Sequence, residues 1–489
     1  MIKQEKKILF RGGIMYDHRK QYRCTIIRGK SQKEMDDLLP AYAKVIDEIC
    51  PCTHEDFEQL FNNAFRRFLP ESERIKKTLD NHRTEISGKL FGMYFFADDG
   101  MVYESERTQK YLEDNDQPAF FKDVCFKMQF PNGMQKVATT VIERAKNEIN
   151  IRPNSFIIKL LQIAQVAKVN ITKKALGYYV LNSLDVLQGN ASPYEVLEVI
   201  EKDQKAGVER DIKMPGKASS YTHQHINEQI NYLELANLIR ITDDKRVVLN
   251  PNEKETLDLF AAAYKEKPAF DVYSYNLRDV EVRKKFQYDW DAYYAGLSVY
   301  ASKFATYSDA LMFEEKRESD GIDKKQSAKT RVNLTDFGDE GEALIYEYEK
   351  KRVAAYSARL ANKVLSLGKT KGIGYDIQSV IAEPGDEAEF VKYIEVKSTK
   401  RLTCPDLNDT LWIDTLNVTR NEWIAARQHR GYYAIYRVFF TRQGVSVFVI
   451  DNVADKIDDG RIQAIPMTYR FDFSSNSVDR LILIRKEAD

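Results

Sequence analysis

The stretch Gly374-Tyr375-Asp376-Ile377-Gln378-Ser379, a charged turn at Glu383-Pro384-Gly385-Asp386, and then Phe390-Val391-Lys392-Tyr393-Ile394-Glu395-Val396-Lys397-Ser398-Thr399 reads as two strands joined by a hairpin-length connection. In a strand, residues two apart face the same way, about 6–7 Å apart along the axis. Glu395 and Lys397 therefore share one face, Ile394 and Val396 take the other and favour burial, and Asp376 can come alongside from the preceding strand. Two carboxylates held together at a strand pair are costly unless a cation neutralises them. Mg2+ accepts one or two carboxylates and completes its shell with waters and substrate phosphate oxygens. A neighbouring lysine can orient or help deprotonate the attacking water and stabilise charge developing on the phosphate. Asp376 and Glu395 as metal ligands with Lys397 beside them are the minimal equipment for metal-assisted phosphodiester hydrolysis. A surface strand of alternating charges gives the same pattern with no chemistry, so the residues alone leave both readings open.

On the amino-terminal side of these strands, Asp339-Glu340-Gly341-Glu342 leads into a helix through Leu344, Ile345, Tyr348, Val353 and Leu360. Before it, residues 263–330 are charged, tyrosine-rich and helical in texture, and end in the polar run 317–326, the composition of a linker. Residues 151–262 carry a denser pattern. Thr172 caps one helix, and Ser192-Pro193-Tyr194-Glu195 is a capping box that opens another. A further helix starts near Ser220, and Leu238–Ile241 and Arg246–Asn250 flank an Asp-Asp turn as a short hairpin. Helices followed by a hairpin is the order of a winged helix-turn-helix, which can place its last helix in a major groove. Tyr221, His223, Gln224 and Asn227 near that helix's start are side chains able to contact bases or phosphates. Such units also serve purely as protein-interaction modules. Residues 1–150 mix amphipathic helices (Leu39, Tyr42, Val45, Ile46; Phe57, Leu60, Phe61, Phe65) with a β-like run, 88–96, that ends at Asp98-Asp99-Gly100.

Composition limits the function classes. A chain of 489 residues with 43% hydrophobic content can bury a sizeable core and divides into several domains. No apolar run approaches the ~20 residues that span a bilayer, which excludes an integral helical membrane protein, and the first thirty residues lack a secretory pattern. Five scattered cysteines fit a reducing cytoplasm better than a disulfide framework, and Cys50-Pro51-Cys52-Thr53-His54 has no second ligand pair to make a zinc site. The 74 basic and 74 acidic residues cancel and argue against a uniformly basic nucleic-acid binder. Locally they do not cancel: residues 1–30 hold nine Lys or Arg against two acids, and residues 397–437 hold seven against four. Phosphate contact needs only such local charge.

With these residues in place, Asp376 and Glu395-Val396-Lys397 resemble the PD-(D/E)XK nuclease signature. More narrowly, Gly374–Ile377, Tyr393–Thr399, Thr419-Arg420-Asn421-Glu422-Trp423 and Tyr436-Arg437-Val438, in that order, are similar to the NO VEIN C-terminal domain. The resemblance implies that Asp376 and Glu395 ligate Mg2+, with Mn2+ able to substitute, and that Lys397 serves the water. It implies that Glu342 supplies an additional helical carboxylate, with Glu340 and Glu349 as competitors. Thr419 would cap the next helix and leave Asn421 at its start, where a phosphate could be met. Tyr375 stands where the general signature has proline. In the amino-terminal part, residues 77–90, Gln117–Phe121, Asn154–Leu161 and Ile171–Leu176 resemble the recognition region of AlwI-like type IIS restriction endonucleases.

The expectation is an α/β multidomain protein: a mainly helical recognition domain (1–150), a winged helix-turn-helix domain (151–262), a helical linker (263–330) and a PD-(D/E)XK nuclease domain with a mixed sheet (331–489). Its implied activity is Mg2+-dependent hydrolysis of double-stranded DNA outside a recognised sequence, in a bacterial cytoplasm. It would be a monomer in solution that pairs transiently for double-strand cleavage, with a cognate methyltransferase as a possible partner. A modification-dependent defence nuclease and a DNA-binding protein with an inert nuclease-like domain are the alternatives.

Overall fold

The computed structural model describes residues 16–27, 29–135, 138–212, 218–306, 311, 336–368, 370, 372–382, 390–465 and 470–484. Most of the basic arm, the polar run 317–326 and the acidic turn 383–389 lie outside the described residues.

Helix α1 (Gln32–Ile49) begins at Ser31, whose hydroxyl accepts from the Glu34 N–H while the Glu34 carboxylate accepts from the Ser31 N–H. One face of it, Met35, Leu39, Tyr42, Ala43, Val45 and Ile46, is wholly buried. Strand β1 (Cys52–Thr53) leads into α2 (His54–Phe65), where Phe57, Phe61 and Phe65 recur at helical spacing on the buried side. Strands β2 (Tyr94–Phe96) and β3 (Met101–Glu104) turn through Asp98-Asp99-Gly100 and join β1 in the order β1-β3-β2. Helices α3 (Pro153–Ala167), α4 (Pro193–Lys205, opened by the Ser192–Glu195 capping box) and α5 (Ala218–Leu235) precede an antiparallel hairpin, β4 (Ile239–Ile241) and β5 (Val247–Leu249). The helix-then-hairpin order read from the sequence is therefore present.

The main apolar core joins residues from Tyr16 to Phe304, with Leu402 from the carboxy-terminal part, and crosses the boundaries drawn at 150 and 262; a small second cluster gathers Val141, Val272, Leu277 and Phe286. Residues 263–306, assigned above to a linker, pack onto it: α6 (Val280–Ala295) buries Trp290 and Tyr294 at 1% exposure each, and the Tyr294 hydroxyl donates to the Leu90 carbonyl at 2.9 Å.

The carboxy-terminal part is α/β. Helix α7 (Asp336–Ala354) precedes strands β6 (Leu365–Ser366), β7 (Ile377–Val380) and β8 (Val391–Lys400). After β9 (Asp414–Asn417) and α8 (Arg420–His429) come β10 (Tyr433–Thr441), β11 (Gly444–Asp451), β12 (Gln463–Ile465), β13 (Arg470–Phe473) and β14 (Arg480–Ile484). Six strands form a mixed sheet in the order β14-β11-β10-β8-β7-β6, parallel only between β8 and β10; β12, β13 and β9 form a second, smaller sheet. Alternation along β10 sends Ala434, Tyr436, Val438 and Phe440 towards α7, and Tyr433, Ile435 and Phe439 towards α8. A strand covered on both faces reads as a near-continuous apolar run, and 433–440 is broken only by Arg437, which is buried against Asp414. Burial of Ile435, Val438, Phe439 and Phe440 contributes about 1.5–3 kcal/mol each.

The end of β8 docks on the amino-terminal body. The Lys400 N–H and the Thr399 hydroxyl both donate to the Asn115 carbonyl at 3.0 Å, and Arg401 donates to Asp37 at 2.9 Å. The Thr403 N–H donates to Asp36 at 3.0 Å. Arg442, at the β10–β11 turn, donates to the Glu234 carbonyl at 2.8 Å and to Asn237 at 3.2 Å, so it satisfies the carboxyl end of α5. Among the described residues no helix is long and apolar enough to cross a membrane.

Candidate active site

Strands β7 and β8 pair with Ile377 opposite Ile394 and Ser379 opposite Lys392. This register puts Asp376, one residue before β7, beside Glu395. The Asp376 N–H donates to the Ile394 carbonyl at 2.9 Å, and its carboxylate accepts from the Val396 N–H at 2.7 Å. Glu395 is 3% exposed, and the register sets Asp376 directly opposite it. The Lys397 ammonium sits 2.7 Å from one Glu395 oxygen and 2.9 Å from Glu422 on α8. The structure thus brings Asp376, Glu395 and Lys397 together on one face of the sheet, while Ile394 and Val396 fill the core on the other.

Electrostatics follow from this burial. Desolvation raises the Asp376 carboxyl above its usual range against the pull of the Val396 N–H and Lys397. It raises Glu395 much further, with Lys397 opposing and Asp376 and Glu422 adding repulsion. Burial alone would lower the Lys397 ammonium, but Glu395 and Glu422 outweigh it and hold Lys397 above the usual lysine range, charged. A lysine so held is an electrostatic and hydrogen-bonding group; in this state it cannot accept a proton from water. Two desolvated, converging carboxyl groups fit a hard divalent cation, which takes oxygen donors and neutralises exactly the repulsion that burial creates. Among the described residues no group of three or more His, Cys, Asp or Glu side chains is arranged to hold a metal ion. Two protein carboxylates, with waters and phosphate oxygens completing the shell, are the arrangement Mg2+ favours.

The sequence pattern gave no role to Glu422. The Thr419 hydroxyl accepts from the Glu422 N–H, and the Glu422 carboxylate accepts from the Thr419 N–H at 3.0 Å. Its traces in the sequence were the T-x-x-E spacing of that capping box and its place in the Thr419–Trp423 block. Asn421 is exposed in the first turn of α8. Its backbone carbonyl fits against Gly374, where an added Cβ would lie 2.3 Å away and where φ is +79°. The Tyr433 hydroxyl donates to the Gly374 carbonyl at 3.1 Å, so both groups fix the loop that delivers Asp376. Tyr375 and His429 pack on Tyr393, the His429 ring stacked on it at 3.7 Å.

The other expected positions are placed as follows. Glu342 is half-buried on α7, the helix that covers the Ile394 and Val396 face, and its carboxylate abuts Gly368. Its competitor Glu349 is fully buried and accepts from Arg352 (2.8 Å), Ser379 (2.6 Å) and Tyr436 (3.0 Å), a structural cluster beneath the sheet. Asn227 is exposed on α5. The side chains of Tyr221, His223 and Gln224, in the first turns of that helix, lie outside the described residues.

Comparison with known proteins assigns the amino-terminal part. The family described as "Restriction endonuclease BpuJI - N terminal" matches residues 16–291, more than half of the chain. The chain belongs to this BpuJI family. A solved BpuJI-family structure, titled as the BpuJ1 endonuclease binding domain in complex with pyrene- and phenanthrene-modified DNA, is 50% identical. It covers 57% of this chain and 99% of its own, with a TM-score of 0.55. The family match extends through residue 291, which agrees with the packing of α6 onto the amino-terminal core. The resemblance to restriction endonucleases in this region holds, with the BpuJI family as the model that matches. Behind it, the family described as "Protein NO VEIN, C-terminal" matches residues 341–450, the segment that holds Glu342, Asp376, Glu395, Lys397 and Asn421. No curated protein matches the chain.

Proposed function

We propose that the chain is a restriction-type DNA endonuclease in which the amino-terminal body reads a sequence and the carboxy-terminal α/β part hydrolyses phosphodiester bonds outside it. The convergence of Asp376, Glu395 and Lys397 at the β7–β8 pair carries the reading. The BpuJI relative was solved on DNA, and its likeness over the amino-terminal body supports recognition of double-stranded DNA there. In this reading α4, α5 and the β4–β5 hairpin act as a winged helix, Tyr221, His223, Gln224 and Asn227 are its proposed DNA contacts, and the mixed sheet is a PD-(D/E)XK nuclease.

Asp376 and Glu395 would hold Mg2+, or Mn2+ in its place; the bound ion would supply Lewis-acid polarisation of the phosphate and acidification of water. Lys397, held charged, donates a hydrogen bond that orients the attacking water and offsets charge on the phosphoryl oxygens. Asn421, exposed at the start of α8, meets a neighbouring phosphate; Glu342, on the helix that covers the opposite face of the sheet and with its carboxylate against Gly368, is given no part in the metal site. One such site cuts one strand, so double-strand cleavage calls for transient pairing of two nuclease parts. In this reading a cognate methyltransferase protects host sites, and the protein works in a bacterial cytoplasm with a type IIS mode of cutting.

The test separates binding from chemistry. Glu395→Ala and Lys397→Ala are expected to abolish cleavage while specific DNA binding, read by gel shift, remains. Cleavage that survives both changes would remove the proposed site.

A further inference from the structure

We infer that Glu422 is the positioning residue for Lys397, the group that keeps this lysine in the site when Glu395 turns to a divalent cation. The inference rests on the nuclease reading above.

Lys397 has two carboxylate partners with different futures. Glu395, at 2.7 Å, is also the candidate metal ligand. A carboxylate that shares its charge with a dication holds a neighbouring ammonium less well, and the dication itself repels that ammonium. With Glu395 alone, cation binding would drive Lys397 out of the position from which it serves the water. Glu422, at 2.9 Å on the other side, supplies the anchor that persists.

Its carboxylate is pre-set for the task. It is 13% exposed, comes from a different element, and is pinned by the Thr419 N–H at 3.0 Å in the first turn of α8, where a negative charge is favoured. The formal charges agree: Asp376, Glu395 and Glu422 with Lys397 sum to minus two, which one divalent cation neutralises. Without Glu422 the sum is minus one, and the cation and the lysine compete for the same oxygens.

The variant is Glu422→Gln, whose amide oxygen still accepts from the Thr419 N–H but carries no charge. The readout independent of turnover is acetylation of Lys397 by acetic anhydride at fixed pH, followed by mass spectrometry, with EDTA or with Ca2+ as a non-catalytic dication. In the parent protein Lys397 should acetylate slowly in both. In the variant, Ca2+ should speed it at least fivefold, while the melting temperature stays within a degree or two. Mg2+-dependent cleavage should fall about 10–100-fold in kcat with little change in KM, the range for losing a partner that orients a group of the site. Glu422→Asp, charged but one methylene short, should fall between, and it decides the matter if the glutamine variant fails to fold.

Equal Lys397 reactivity in parent and variant under Ca2+, with unchanged kcat, would overturn the role. If instead Lys397→Ala cleaves like the parent, the nuclease reading itself fails, and the acetylation experiment still reports whether Glu422 holds the lysine.

Discussion

The carboxylate of Asp376 accepts a 2.7 Å hydrogen bond from the backbone N–H of Val396, the residue between Glu395 and Lys397. A residue before β7 is thereby locked to the middle of the strand that carries the other two candidate groups, and the spacing of all three is set by one register. Asp376→Asn keeps an acceptor for that N–H and removes the charge. It should fold with a near-parental melting temperature and lose cleavage at least 10³-fold, which plasmid nicking and thermal melting would check together.

The site should carry a pH-dependent stability cost. Glu395 has its carboxyl raised in the folded state by burial, with Asp376 adding repulsion. A raised carboxyl binds its proton more tightly folded than unfolded, so stability falls as pH rises from the ordinary carboxylate range through the raised folded value. Glu395→Gln, measured in EDTA, should therefore melt higher than the parent at pH 8, with the difference shrinking towards pH 4. Mg2+ should raise the parent's melting temperature and leave the variant's unmoved. A variant less stable than the parent at pH 8 would contradict the desolvation argument.

Gly374 tests how Asp376 is delivered. A Cβ there would meet the Asn421 carbonyl at 2.3 Å, in a left-handed backbone with φ of +79°. Gly374→Ala should cost roughly 1–3 kcal/mol in urea unfolding and lower cleavage more than it lowers DNA affinity.

Arg401 tests the docking of the two parts. It is 7% exposed and pairs with Asp37 at 2.9 Å, with Asp36 at 3.9 Å. Losing Arg401 leaves the buried Asp36 without its nearby cation, while Asp37, at 40% exposure, stays solvated, so the cost should fall below the about 3–5 kcal/mol of a fully buried pair. Arg401→Ala should expose the segment near residues 400–403 to limited proteolysis, with both resulting parts retaining secondary structure by circular dichroism.

The catalytic strand was legible because its chemistry is local. Alternation alone places Glu395 with Lys397 and opposite Ile394 and Val396, and the turn beyond Ser379 brings Asp376 back alongside. The Ser192 capping box and the Asp-Asp hairpin were legible for the same reason: each is complete within a few residues. Glu422 was not, because its meeting with Lys397 depends on how α8 seats on the sheet, 25 residues downstream. The helix 280–295 misled in the opposite sense. Its charge and tyrosine content read as part of a helical linker, yet Trp290 and Tyr294 are buried with the tyrosine hydroxyl satisfied by a backbone carbonyl. Burial of amphipathic aromatics depends on a tertiary partner that a sequence pattern does not show.

The central claim is that Asp376, Glu395 and Lys397 form a divalent-metal nuclease centre. Its most direct measurement is a Mg2+ and Mn2+ titration of supercoiled phage or plasmid DNA with the parent chain, with the Glu395→Ala chain run beside it and the cut ends sequenced. Metal-dependent nicking or linearisation by the parent is expected, with ends clustered at a displacement from one shared sequence, and none by the variant. No cleavage under any concentration of either metal, or equal cleavage by the variant, would contradict it.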